Sequence, residues 1–225
     1  MLKLLALTIL LLFPIGVWAQ QKQEPTLAPP YDAICTVINQ VGREMPTASG
    51  TLVRVVDGKG YILTCDHLWH RTKPTGRGNE ETYAGRHSNR NALATFPDGH
   101  ESKGRLLQYN AEMDVSLVEI YQSPPNVEPA KLVILKPDEG PFTLIGYPHE
   151  GEGMLRWRQG LFSRWRTPNN ARIKLRSVSG FSGGLLANKH GEGVGVASGN
   201  DLETGESIYG AGPELISFVE RSVPK

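Results

Sequence analysis

The 225-residue sequence predicts an all-β chain folded as two packed β-barrels and closed by a short C-terminal helix. Three observations carry that expectation. Apolar residues recur mostly at period two, in short runs bounded by Gly, Pro, Asn and Asp, which is the pattern of half-buried strands. A polar, proline-bearing segment over 121–130 interrupts this pattern near mid-chain and leaves two halves of the same style. Only one clear stretch, 213–220, has helical spacing, and many short strands ending in one helix read as paired barrels.

The elements follow in order. Met1-Leu2-Lys3 opens an apolar run from Leu4 to Val17, and Val17 stands two places before Ala19, so residues 1–19 read as a signal peptide cleaved after Ala19. The run is shorter than the ~20 residues of a membrane span and contains Pro14, so no membrane contact is expected after its removal. Gln- and Pro-rich residues 20–30 read as a flexible arm, and 31–221 as the folded domain, with the boundary between halves near 121–130. Strands are expected over 33–38, 50–56 and 60–65, the last two joined at Asp57-Gly58, and the third delivers Asp66-His67 at its end. The polar stretch 70–90 reads as an irregular surface excursion. Residues 92–96 and 104–109 form a hairpin around Pro97-Asp98-Gly99, and Asp114 immediately precedes a strand over 115–120. In the second half, strands are expected over 142–147, 160–165, 171–175, 185–187 and 193–198.

Composition narrows the function. Loss of 1–19 removes one cation, Lys3, and the formal charge falls from +1 to zero, so nothing calls for nucleic acid or an anionic surface. Trp157-Arg158 and Arg164-Trp165-Arg166 read as a solvated hairpin with its tryptophans partly packed. Export permits a disulfide between the two cysteines, Cys35 and Cys65, and two separate buried thiols are an equally simple reading. His70, His87, His100, His149 and His190 are scattered through polar turns without paired ligand spacing, and no metal site is expected.

The chemistry lies in Gly180-Phe181-Ser182-Gly183-Gly184. A hydroxyl is a poor nucleophile near neutral pH. It needs an imidazole within ~3 Å, which in turn needs a carboxylate to fix its tautomer and stabilise its cation. His67 and Asp114, each at the end or start of an expected strand, supply that pair for Ser182. The flanking glycines let the Gly180 and Ser182 amides converge on the oxygen that gains charge. Taken singly, Ser182 is a turn serine, His67 a strand-end histidine and Asp114 a turn or cap residue; the combination is what points to catalysis. The same run matches the G-x-S-x-G elbow of an α/β-hydrolase, but that plan places its acid and histidine after the serine, and residues 183–225 are too few for it.

His67 in Ile62-Leu63-Thr64-Cys65-Asp66-His67, Asp114 in Asp114-Val115-Ser116-Leu117-Val118, Gly146-Tyr147-Pro148, and Ser182 in Ser179-Gly180-Phe181-Ser182-Gly183-Gly184 resemble the trypsin-like serine proteases, particularly their bacterial HtrA-like branch. The resemblance covers roughly residues 31–221 and implies a chymotrypsin-type double barrel that hydrolyses peptide bonds through an acyl-enzyme. It implies the catalytic residues His67, Asp114 and Ser182, an oxyanion hole at Gly180 and Ser182, and a substrate-pairing segment at Val196, Ala197 and Ser198. The implied partner is a peptide or protein substrate, the location periplasmic or secreted, and the cofactors none. Phe181 replaces the aspartate of zymogen-activated relatives, so that activation switch is not expected. With only a short stretch after the terminal helix, the PDZ module that HtrA-like enzymes usually append is not expected. Arg176 is a candidate for favouring acidic substrates, a solvent-facing arginine being the plainer account. The competing function is a protease-like binding domain that has lost turnover.

Overall fold

The computed structural model describes residues 30–40, 45–74, 81–86, 90–149 and 153–224. The expected signal peptide 1–19 and, Pro30 excepted, the expected arm 20–30 lie outside them.

The first half contains β1 (Ile34–Asn39), β2 (Thr47–Val56), β3 (Lys59–Cys65), β4 (His70–Pro74), β5 (Glu81–Arg86), β6 (Asn91–Thr95), β7 (Glu101–Asn110) and β8 (Val115–Ile120). Six of these close as an antiparallel barrel in the order β1-β2-β3-β8-β7-β6. The second half contains β9 (Phe142–Gly146), β10 (Arg156–Thr167), β11 (Asn170–Lys174), β12 (Leu185–Ala187), β13 (Gly193–Asn200) and β14 (Ser207–Ala211), closed in the order β10-β11-β14-β13-β12-β9. Closure removes the exposed strand edges that an open sheet would leave. The chain is therefore all-β in two barrels, followed by α1 (Pro213–Ser222).

The barrel strands β3, β8 and β9 are buried along nearly their whole length. Ile34, Val37, Leu52, Ile62, Val118 and Ile120 fill the first barrel, while Phe142, Leu144, Ile173, Phe181 and Tyr209 fill the second. The helix starts with Pro213 at its first turn, where a missing N–H costs nothing, and lays Leu215, Phe218 and Val219 on Tyr61, Leu63 and Leu117 of the first barrel. It thus ties the chain's end, which leaves the second barrel at β14, back across the first. Phe218 is buried, so Phe218→Ala is expected to destabilise the protein by about 3 kcal/mol or more, read as a lower urea midpoint at unchanged slope.

Two expectations change and one open alternative is decided. Residues 70–90 are not wholly irregular: β4 and β5 pair antiparallel, with Thr72 opposite Tyr83 and Lys73 opposite Thr82. The sequence His-Arg-Thr-Lys-Pro lacks apolar alternation, and a two-stranded ribbon outside the barrels is held by main-chain bonds that leave no hydrophobic signature. β10 begins at Arg156, earlier than expected, because its first residues are polar and exposed although their backbones pair with β9. Cys35 and Cys65 are separate buried thiols. β2 lies between their strands, with Gly50 facing Cys35 on one side and Thr64 on the other. Two strand spacings come to roughly 10 Å, beyond the ~7 Å Cα reach of a disulfide.

Candidate active site

His67 and Asp114 are brought together by register. Cys65, the last residue of β3, pairs with Val115, the first of β8, so the residues just beyond each strand meet at one barrel end. The Asp66 N–H donates to the Asp114 carbonyl at 3.1 Å. His67 then opens a single 3₁₀ turn, His67–Trp69, anchored by buried Leu68 and Trp69 and by the Asn39 amide, which donates to the Leu68 carbonyl at 3.1 Å. Asp66, itself buried, accepts from the Ser116 hydroxyl at 2.9 Å and lies 3.2 Å from His70 Nε2, which fixes the start of this turn.

The Asp114 carboxylate receives three donors. Its Oδ1 accepts the His67 backbone N–H at 2.8 Å, and its Oδ2 accepts His67 Nδ1–H at 2.7 Å and the Ser198 hydroxyl at 2.7 Å. A carboxylate only accepts, so Nδ1 carries the proton and Nε2 of the neutral ring is left as the acceptor. Asp114 reaches this position with φ of 53°, in the left-handed region that aspartate tolerates better than most residues.

Burial by itself pulls the His67 pKa down, but the adjacent Cys65 sulfur and the Asp114 carboxylate outweigh it, and the net shift is upward from the ordinary histidine value. A raised histidine stabilises the fold fully below its unfolded-state pKa of about 6.5, and that stabilisation is lost as pH rises through the folded-state value. A base role for His67 requires its neutral ring, so the acid limb of kcat/KM is expected above about pH 6.5, and Cys65→Ala should move it down. A pH–rate profile of both proteins checks this; an unmoved limb in the variant removes Cys65 as a cause.

Ser182 sits in the turn before β12. Gly180 and Gly183 have φ of 93° and 80°. A Cβ on Gly180 would come 2.5 Å from the Tyr147 carbonyl and one on Gly183 would come 2.1 Å from that of Ser49, so backbone closes both places to any side chain. Phe181, fully buried in the second barrel's core with the Arg158 guanidinium 5.7 Å from its ring centre, anchors the turn. The Phe181 N–H donates to Val178, Gly183 N–H to Ala197 and Gly184 N–H to Phe181. Among the described residues, the N–H groups of Gly180 and Ser182 have no acceptor. These are the two amides expected to form the oxyanion hole.

Ser182 Oγ lies 3.5 Å from the Ser198 carbonyl, at the outer limit of a hydrogen bond, and is not hydrogen-bonded to His67. Ser198 thus touches both sides of the site, through its hydroxyl to Asp114 and its carbonyl to Ser182. Val196 and Ala197 do not reach the cleft. Both are buried, and Ala197 has already committed its C=O to Gly183 and its N–H to Gly184. The open part of β13 begins at Ser198 and runs through Gly199, where a Cβ would meet nothing within 4 Å, to exposed Asn200. The register shift between Ala197 and Gly199 makes this change. The Asn200 side chain braces the preceding loop, with Oδ1 accepting from the Ser177 N–H at 3.1 Å and Nδ2 donating to the Ser177 carbonyl at 2.9 Å. Arg176 is exposed. A serine–histidine contact that the sequence reading did not single out, Ser179 Oγ with His149 Nδ1 at 3.2 Å, borders Gly180. Among the described residues, no group of three His, Cys, Asp or Glu side chains is arranged to hold a metal.

Two closed barrels, with a histidine–aspartate pair on the first and a glycine-framed serine on the second, define the chymotrypsin-type class of double-barrel peptidases. The family model described as "Trypsin-like peptidase domain" matches residues 48–196, and the chain belongs to that family. The fold is shared with a serine endoprotease from Yersinia pestis, at 21% identity and TM-score 0.64 over 85% of this chain and 62% of that one. It is shared with the Rv3671c protease of M. tuberculosis in its active form, at 14% identity and TM-score 0.64 over 87% and 83%. The HtrA-type protease AlgW with a tripeptide matches at 17% identity and TM-score 0.61 over 85% and 60%. The matched region therefore spans less than two thirds of the Yersinia and AlgW chains. No match was found among curated proteins.

Proposed function

We propose that this peptidase domain is a serine endopeptidase in which Ser182 attacks the peptide carbonyl, His67 carries the proton and Asp114 holds His67. The observation that carries this reading is the Asp114 carboxylate clamped by three donors, which leaves His67 Nε2 free to accept, beside two amides with no acceptor of their own. On binding of a peptide, Ser182 Oγ turns from Ser198 toward Nε2 and bonds to the carbonyl carbon. Its proton passes to His67, whose cation Asp114 stabilises, and the oxygen gains charge against the Gly180 and Ser182 N–H groups. His67 then protonates the departing amine, and water, activated by the same imidazole, releases the acyl group. No cofactor enters these steps.

The substrate is a peptide or protein, and its backbone pairs with the open part of β13 at Ser198–Asn200 rather than at Val196 and Ala197. Residues 1–19 act as a signal peptide and 20–30 as an arm, so the domain over 31–221 works outside the cytoplasm, in the periplasm or secreted. A second reading, a peptide-binding domain without turnover, is favoured by one observation: Ser182 Oγ faces Ser198 rather than His67. A fluorescent fluorophosphonate separates the two. Labelling of the folded protein at neutral pH, absent in Ser182→Ala, is expected for the endopeptidase; an unlabelled wild type overturns that reading.

A further inference from the structure

We infer that Ser49, on β2 of the first barrel, is a positioning residue that holds the oxyanion amides in their working orientation; this rests on the endopeptidase reading above. Ser49 is fully buried, and all of its polar groups are engaged. Its hydroxyl donates to the Gly180 carbonyl at 2.7 Å and accepts the Tyr147 N–H at 2.8 Å. Its own N–H donates to the Ser182 carbonyl at 2.8 Å, and its carbonyl accepts the Thr64 hydroxyl at 2.7 Å. One residue of the first barrel therefore grips the nucleophile turn of the second on both sides of Phe181.

The consequence falls on the peptide between Gly180 and Phe181. Its C=O is held by Ser49 and its N–H by the Val178 carbonyl at 3.2 Å. The peptides on either side of it carry the two unpaired N–H groups and are themselves held through their carbonyls, Ser179 C=O by the His149 N–H at 2.9 Å and Phe181 C=O by the Gly184 N–H at 2.8 Å, so the Ser49 bond fixes the link that joins them. Turning this peptide over rotates ψ of Gly180 and φ of Phe181, and glycine leaves its own half of that rotation unhindered. The Ser49 hydroxyl discriminates between the two orientations. Because the Tyr147 N–H already occupies its oxygen as an acceptor, its proton is directed at Gly180, where a carbonyl completes the bond and an N–H would leave that proton buried without a partner.

The test measures fluorophosphonate labelling of the full chain, resolving the maximal rate kinact from the binding constant KI, with thermal unfolding alongside. Ser49→Ala is expected to lower kinact about tenfold to a hundredfold with KI within about twofold, since binding precedes the demand on the oxyanion amides. Gly146→Ala provides a second route, because a Cβ there would come 2.5 Å from Ser49 Oγ, nearer than its 3.1 Å approach to Phe181 Cδ1, and press first on the same hydroxyl; it is expected to repeat the pattern and stands in if Ser49→Ala does not fold. Unchanged kinact in a folded variant overturns the role of Ser49, as does a parallel change in kinact and KI that tracks the loss of thermal stability. An unlabelled wild type overturns the endopeptidase reading itself, and the role of Ser49 with it.

Discussion

Ser182→Ala is expected to lower kcat for peptide hydrolysis by about 10⁶-fold, the scale seen when a serine nucleophile is deleted from a triad that acts as a unit. The alanine removes the atom that bonds to the carbonyl but leaves the Gly180 and Ser182 N–H groups in place. A residual rate about 10³-fold or more above water should therefore remain, with substrate affinity nearly unchanged. The turn itself should survive, because Ser182 Oγ makes only the 3.5 Å contact to Ser198, while the main-chain bonds from Ser49 to Ser182 and from Gly183 to Ala197 are untouched. Steady-state kinetics on a peptide substrate, with a melting curve for each protein, checks both halves. A rate within tenfold of wild type would remove Ser182 as the nucleophile.

Asp114→Asn is expected to cost about 10⁴-fold in kcat with the fold retained. The reason lies in hydrogen-bond bookkeeping. Both carboxylate oxygens of Asp114 face donors: Oδ1 the His67 N–H, Oδ2 both His67 Nδ1–H and the Ser198 hydroxyl. An asparagine places an NH₂ against one of these sets. If it faces Nδ1, the ring must move its proton to Nε2 to accept there, and the nitrogen needed as the base becomes a donor. If it faces the His67 N–H, two donors oppose each other in a half-buried place. Measuring kcat beside thermal stability separates the two, since only the first leaves folding unaffected while suppressing catalysis. A variant with near wild-type kcat would show that Asp114 does not set the tautomer.

Much of this was legible in the sequence because it depends on local pattern. Short apolar runs bounded by turn residues report buried strands, so the barrel strands at Ile34–Asn39, Lys59–Cys65, Val115–Ile120 and Phe142–Gly146 were visible, the last three being buried along nearly their whole length, as was α1 through its helical spacing. His67, Asp114 and Ser182 could be singled out as candidates because nucleophilic chemistry demands those residue types, and because glycines at 180 and 183 mark a turn with positive φ. The residues of β4 and β5 and the exposed start of β10 carry no apolar alternation, and these segments were missed for that reason.

The sequence by itself determined the all-β class, the division into two halves and the residue types of the candidate site, since each is encoded within a few neighbouring positions. Tertiary structure alone decided the rest. The register of β3 on β8 brings His67 to Asp114, the intervening β2 keeps Cys35 from Cys65, and the shift after Ala197 opens β13 at Ser198 instead of Val196. It also placed Ser49 against Gly180, 131 positions later in the chain. Hydrogen bonds between residues so far apart are set by how the barrels close and dock, and no local period in the sequence carries that information.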